Sequence, residues 1–234
     1  MKIIVNDNKI NRNRRIAQIT MIGGLAVLAG GMYVSFQMPD QFYLSLVALL
    51  LGFILSQIGI YFSNRWGRRP RPDEQIDQSL KGLDDQYSIY HYKTPSSHLL
   101  VGPAGIWAIY PKHQRGTITF DKGRWKQRGG GMLMTYLKVF AQEGLGRPDL
   151  EMVGDIESLE KYFAKILPDE ELSQIFPALV FTNLETVIDI DKEQDLPAPT
   201  IPLNKLKDLI RKSAKTKPIS LSVVKKLQEA LPQN

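Results

Sequence analysis

Two long stretches near the start of the chain are apolar with no charged position among them. Ile16 to Pro39 is 24 residues without Asp, Glu, Lys or Arg, and after Asp40 a second such run, Gln41 to Asn64, is again 24 residues long. At ~1.5 Å per residue, each provides the ~20 residues needed to cross a ~30 Å hydrocarbon core. The connection Gln37-Met38-Pro39-Asp40-Gln41 is short and contains a helix breaker. The pattern predicts a transmembrane helical hairpin with spans at about 16–37 and 42–63. A cleaved signal peptide has a single apolar stretch of about 7–15 residues, not two in succession. Tyr33, Phe36, Phe42 and Tyr43 flank the turn, and Tyr61, Phe62 and Trp66 the far end, where interfacial aromatics belong. Ala48-x-x-x-Gly52-x-x-x-Ser56 in the second span and Ala26-x-x-x-Gly30 in the first are spacings that let two helices pack closely.

After Arg69-Pro70-Arg71-Pro72 the periodicity changes. Ile76, Leu80 and Leu83 follow Asp73-Glu74 at helical spacing, with acids in the first turn. Tyr87–Lys93 alternates as a strand. His98–Val101 and Ile106–Tyr110 flank the turn signal Gly102-Pro103-Ala104-Gly105, and Gly116–Phe120 and Arg124–Gln127 flank Asp121-Lys122-Gly123. These strands predict a small, mainly antiparallel sheet. Gly129-Gly130-Gly131 has no Gly-Lys-Ser/Thr continuation and reads as a connector, not a phosphate loop. Met132–Gln142 has a helical pattern. Leu150, Val153, Ile156, Leu159, Phe163 and Ile166 make an amphipathic helix. Ala178–Thr182 and Val187–Ile190 follow as strands, then Leu203–Ser213 and Ser220–Leu231 as helices. The chain thus divides into a basic N-terminal segment (1–15), the hairpin (16–64), a basic Arg/Pro linker (65–72) and an α/β (α+β) domain over 73–234 with a basic helical C-terminus.

Charge sharpens this division. The formal net charge is +6, which taken alone suggests a nucleic acid or an anionic membrane as partner. Residues 1–72 hold nine basic and two acidic side chains, whereas 73–234 hold 21 basic and 22 acidic, so the excess belongs to the hairpin's flanks. Lys2, Lys9, Arg12, Arg14 and Arg15 precede the first span, Arg65, Arg68, Arg69 and Arg71 follow the second, and the turn has no positive residue. By the positive-inside rule both termini and the main domain are expected in the cytoplasm of a multi-pass membrane protein. The lipid bilayer is the expected partner and nucleic acid is disfavoured. Within the domain, Lys112, Arg115, Lys122, Arg124, Lys126 and Arg128 form a candidate anionic-ligand face for phosphates or lipid headgroups. The equal alternative is a solvated face paired with the acidic stretch 139–195 of the same domain, which has 14 acidic against four basic residues. Cysteine is absent, which excludes disulfides, thiolate-held metals and thiol catalysis. His91, His98 and His113 are scattered in sequence with no carboxylate cluster beside them, so no metal or other cofactor is expected from them.

One segment carries a resemblance. Ser97-His98-Leu99-Leu100-Val101-Gly102-Pro103-Ala104-Gly105-Ile106-Trp107-Ala108-Ile109-Tyr110-Pro111-Lys112, followed by Gly116 and Trp125, resembles the nuclease-related domain (NERD) family. Glu74 in a first helix and Ala178-Leu179-Val180-Phe181-Thr182-Asn183 add to it, and the similarity runs from about Glu74 to Ile210. The resemblance implies a restriction-endonuclease-like fold, in which an Asp and a Glu-x-Lys hold Mg²⁺ and position the attacking water. Carried onto this chain, the lysine falls on Lys112 and the first-helix acid on Glu74, but Ser97 stands where the family has its aspartate and Tyr110 where it has the glutamate. The expectation is a membrane-anchored pseudoenzyme, a NERD-like binding or scaffolding module with a protein partner in the membrane, such as a complex to which it is an accessory subunit. The alternative is a metal-dependent nuclease with a migrated site, and Mg²⁺ enters only under that reading.

Overall fold

A computed structural model describes residues 1–129, 144–168, 174–191 and 194–233. They form two compact units, one of residues 7–71 and one of residues 1–6 with 72–129 and 144 onward. The expected helix over Met132–Gln142 and most of the triple glycine lie outside the described residues.

The first unit is a helical hairpin. Helix α1 (Asp7–Gln37) is joined by a 3₁₀ turn at Pro39–Gln41 to α2 (Phe42–Phe62), which ends in a π-helical turn, Ser63–Gly67. The apolar run is only part of α1. The helix starts at Asp7, where an acid favours the N-terminus, and no breaker stands between it and Ile16. Lys9, Arg12, Arg14 and Arg15 are therefore helical. Both helices are long and apolar enough to cross a membrane, and only 11% and 17% of their apolar windows are buried. The core helix of a water-soluble protein is mostly covered, so this exposure favours a lipid solvent.

The seam between α1 and α2 is made of small residues seven apart, Ala17, Gly24 and Gly31 on one helix against Ser45, Gly52 and Gly59 on the other. A Cβ on Gly24 would sit 2.9 Å from Ser56 Oγ and 3.2 Å from the Gly52 carbonyl oxygen, and one on Gly31 would sit 2.8 Å from Ala48 Cβ. The Ala48, Gly52, Ser56 stripe is thus used as expected. Its partner is not Ala26-x-x-x-Gly30, because Gly30 has open space where a Cβ would go. Gly31 is one residue on, about 100° around the helix, and faces the seam instead. Ser45 Oγ donates to the Gly31 carbonyl at 3.0 Å, a bond between helices that needs this close approach.

The second unit is an α/β region with a mixed sheet. In chain order its elements are β1 (Lys2–Val5), α3 (Pro72–Leu80), β2 (Ser88–His91), β3 (His98–Gly102), β4 (Gly105–Lys112), β5 (Gly116–Asp121) and β6 (Arg124–Arg128). Then come α4 (Pro148–Ile166), β7 (Ile175–Phe181), β8 (Thr186–Ile188), β9 (Thr200–Pro202), α5 (Leu206–Thr216) and α6 (Leu221–Ala230). The main sheet has the order β1-β2-β3-β4-β7-β9, with β3 antiparallel to its neighbours and every other pairing parallel. A small second sheet has the order β6-β5-β8. The sheet is therefore less antiparallel than the hairpin turns suggest. The chain crosses through α4 before β7 pairs with β4, and such a return makes a parallel pair.

Both faces of the main sheet are covered, which is why β3, β4 and β7 read as continuous apolar runs. On one face Leu99, Val101, Ile106, Ala108 and Leu179 meet Leu159 and Phe163 of α4 and Leu227 of α6. On the other, Ile89, Leu100, Trp107, Ile109 and Val180 meet Ile76 and Leu80 of α3 and Leu206 and Ile210 of α5. The inward stripe of α4 is Met152, Ile156, Leu159, Phe163 and Ile166, so Leu150 and Val153, expected in that stripe, are instead exposed. The β5–β6 turn is built as expected from its sequence. Lys122 (φ 51°) and Gly123 (φ 74°) are both left-handed, the conformation a tight hairpin needs at its two central residues.

Strand β1 is not predicted by the hydrophobic pattern, which leaves residues 2–5 within the basic N-terminal segment. They pair with β2 in the register Val5↔His91. The hairpin is thus an insertion between a strand and a helix of one sheet domain.

Candidate functional site

Five strands run the same way, so Val5, His91, Lys112, Phe181 and Pro202 finish on one edge of the sheet. Ligand sites of open α/β sheets gather at such carboxyl ends. Here the edge carries two separate polar groups, one on each face.

The first contains three of the positions singled out by the resemblance, Ser97, Tyr110 and Lys112. Tyr110 and Lys112 end β4 on the α4 face, and Ser97 lies in the turn just before β3, the neighbouring strand. Glu74 is not brought to them, since α3 packs on the opposite face. Two acids the sequence did not single out take its place, Glu151 and Asp155, one turn apart on α4. Lys112 Nζ donates to Glu151 Oε2 at 2.5 Å, with 16% of the lysine side chain exposed. Burial, reinforced by the Asp155 and Glu151 carboxylates, pushes the Tyr110 phenol far above its ordinary range, so it is neutral at every physiological pH. The Tyr110 hydroxyl and Ser96 Oγ are both buried and close enough to influence each other, but neither makes a hydrogen bond of good geometry among the described residues. Because an unpaired buried hydroxyl costs about 1–3 kcal/mol, Tyr110→Phe is expected to stabilise the protein by about 1 kcal/mol in urea unfolding. A loss of stability would mean that the hydroxyl has a partner.

These positions do not fit Mg²⁺. The ion needs several hard, preferably anionic oxygens in octahedral array. Ser97 and Tyr110 offer neutral hydroxyls, Glu74 stands behind the sheet, and the lysine is already occupied by Glu151. Among the described residues, no three His, Asp or Glu side chains are arranged to hold a metal ion.

The basic face is smaller than its sequence suggests. Lys112 is neutralised by Glu151, and Arg115 lies 3.6 Å from Glu185. Both acids belong to the acidic stretch 139–195, as the pairing alternative anticipated. Lys126 donates to Asp121 at 2.6 Å, which holds that carboxyl below its usual range. What stands exposed is one face of β6, where Arg124, Lys126 and Arg128 alternate with the inward Trp125 and Gln127. Cross-strand, they lie beside Asp121, Thr119 and Thr117, with Lys122 at the turn.

The second group, on the α3 face, corrects the reading of the histidines as scattered. His91 and His98 are paired across the β2–β3 register, 0% and 2% exposed, with Nδ1 atoms 2.7 Å apart. His91 Nε2 meets Asp77 Oδ1 at 3.0 Å, and the Tyr92 hydroxyl donates to buried Asp73 at 3.4 Å. Two carboxylates i, i+4 on a helix and two histidines flanking a turn are each unremarkable in sequence, and only the sheet brings them together. His113 lies apart from them, in hydrogen-bond contact with Thr182 Oγ1 at 2.9 Å. No family model matches the chain, and neither does any curated protein or solved structure.

Proposed function

We propose that this protein is a membrane-anchored pseudoenzyme of the nuclease-related type, a binding or scaffolding module held at the cytoplasmic face by its hairpin. The order α3-β2-β3-β4-α4-β7, a mixed sheet with helices on both faces, supports the restriction-endonuclease-like reading. The observation that carries the loss of cleavage is at Lys112. Its amine is closed in an ion pair with Glu151, and the neighbouring position holds a buried neutral phenol in place of a metal-binding carboxylate. The cytoplasmic orientation rests on the flanking arginines. The pairing of β1 with β2 adds that both ends of the hairpin lie on one side of the bilayer, whichever side that is. The face left for binding is that of β6, where Arg124 and Arg128 flank Lys126, itself paired with Asp121, and such exposed guanidinium groups suit phosphates or lipid headgroups.

The deciding experiment incubates the purified full chain with linear and supercoiled DNA in Mg²⁺ or Mn²⁺, beside Lys112→Ala and Glu151→Gln. The full chain is required, because a fragment starting at residue 73 lacks β1. The expected result is no cleavage above a protein-free control in any sample. Cleavage that Lys112→Ala abolishes would replace this reading with a metal-dependent nuclease whose acids have migrated to Glu151 and Asp155.

A further inference from the structure

Helix α5 carries a ridge of cations. Lys207, Arg211 and Lys215 are four residues apart and share one side of the helix, while Leu206 and Ile210 are buried against the sheet. The first two cations are taken up by the chain just past α3. Lys207 Nζ donates to the Lys81 carbonyl and Arg211 Nη2 to the Gly82 carbonyl, each at 3.1 Å. Carbonyls at the end of a helix carry partial negative charge and favour such partners. Lys215 stands one turn further along the ridge, and among the described residues it has no hydrogen-bond or ion-pair partner.

Beyond Gly82, whose φ of 90° takes the chain out of the helix, a cleft of about 470 Å³ opens. Leu83, Asp84 and Tyr87 line it from that segment, and Arg211, Ala214 and Lys215 line it from α5. The volume is that of a small-molecule site. Leu83 and Tyr87 are buried and supply an apolar floor, whereas the charged groups are exposed at the rim. Asp84 Oδ1 accepts from the Gln86 N–H at 3.1 Å, and the carboxylate makes an ion pair with neither Arg211 nor Lys215. Burial pushes the Tyr87 phenol above its ordinary range, the Asp84 carboxylate adds to this and the Arg211 guanidinium partly offsets it, so both signs of charge are felt at the floor. Opposite charges that share a cleft without closing on each other leave room for a molecule that bears both.

We propose that this cleft binds a small zwitterion, with its anionic end on Arg211 and Lys215, its ammonium on Asp84 and its apolar middle on Leu83, Tyr87 and Ala214. Two cations on consecutive helix turns give the anionic end charge-assisted hydrogen bonds. A plain anion meets the Asp84 carboxylate, and a plain amine meets the two cations, so each wall selects against a ligand with one charged end. The site goes beyond the β6 face and uses none of its residues. It lies where β2 begins, at the edge of the sheet opposite the ends of β4 and β7.

The test follows backbone amide shifts of the full chain in nanodiscs during titration with 6-aminohexanoate, a flexible apolar chain with a carboxylate and an ammonium at its ends. Hexanoate lacks the ammonium and hexylamine lacks the carboxylate. 6-Aminohexanoate is expected to move the amides of residues 82–87 and 211–215 saturably. Each probe with one charged end is expected to bind roughly tenfold more weakly, the loss of one charge-assisted contact. Lys215→Gln and Asp84→Asn both alter exposed side chains, and the new Asn can still accept from Gln86, so the fold is expected to hold. Each is expected to weaken 6-aminohexanoate roughly tenfold, while Lys215→Gln does not weaken hexylamine and Asp84→Asn does not weaken hexanoate. Arg124→Ala is expected to change none of these affinities, which separates this site from binding at β6. Equal affinity for the three probes, native affinity in both cleft variants, no saturable movement at these residues, or movement centred on residues 124–128 would each overturn the proposal.

Discussion

Phe163→Ala is expected to destabilise the sheet domain by about 3–5 kcal/mol, the usual cost of truncating a fully buried aromatic. Phe163 is 0% exposed and lies with Leu159 between α4 and the sheet, so the deletion leaves a cavity that the rigid strands cannot fill. The effect reaches the site, because α4 also carries Glu151 to Lys112. The measurement is urea unfolding of the full chain in micelles, followed through the buried Trp107 and Trp125. Leu150→Ala is the control that makes the result specific. Leu150 is 59% exposed on the outer side of the same helix, and its truncation is expected to shift stability by less than about 0.5 kcal/mol. Equal losses from the two variants would mean that the inward stripe of α4 has been misplaced.

Gly24→Leu is expected to prise α1 from α2. The atoms around a new Cβ include the Ser56 backbone nitrogen at 3.1 Å and the Gly52 carbonyl oxygen at 3.2 Å, and helix backbone cannot swing aside as a side-chain tip does. The helices must therefore separate or shift register, at a cost of about 3 kcal/mol, and the Ser45–Gly31 bond between them is lost. Spin labels at Ile19 and Tyr61, both exposed, are expected to report a longer and broader distance in nanodiscs. Gly30→Leu adds the same bulk where nothing lies within 4 Å, and the distance is expected to stay as in the native hairpin. A change in Gly30→Leu with none in Gly24→Leu would restore Ala26-x-x-x-Gly30 as the packing face.

These two controls mark how far periodicity alone could be read. Spacing located α4 and the small-residue stripe of α2, because a helix repeats every 3.6 residues whatever it touches. It did not orient α4 or choose between Gly30 and Gly31, since neighbouring positions on a helix differ by only about 100° and the partner decides which of them is buried. The positions singled out by the resemblance follow the same rule. Ser97, Tyr110 and Lys112 share an edge because β3 and β4 are joined by a tight turn, a local matter. Glu74 is separated from them by the thickness of the sheet, and Glu151 arrives from a helix 39 positions beyond Lys112.

By itself the sequence determined what depends on a few neighbouring residues. It marked two charge-free runs long enough for a bilayer, with all the flanking positive charge outside them. It marked a hairpin turn at Lys122-Gly123, and apolar strands that need cover on both faces. Only the tertiary structure decided that residues 2–5 join the sheet as a strand, that Lys112 is closed by Glu151, and that His91 and His98 meet across β2 and β3. Solvation, backbone conformation and turn geometry act over a few bonds and leave a local trace. Pairing across long loops is settled by closure and packing of the whole domain, and no local pattern records which partners will meet.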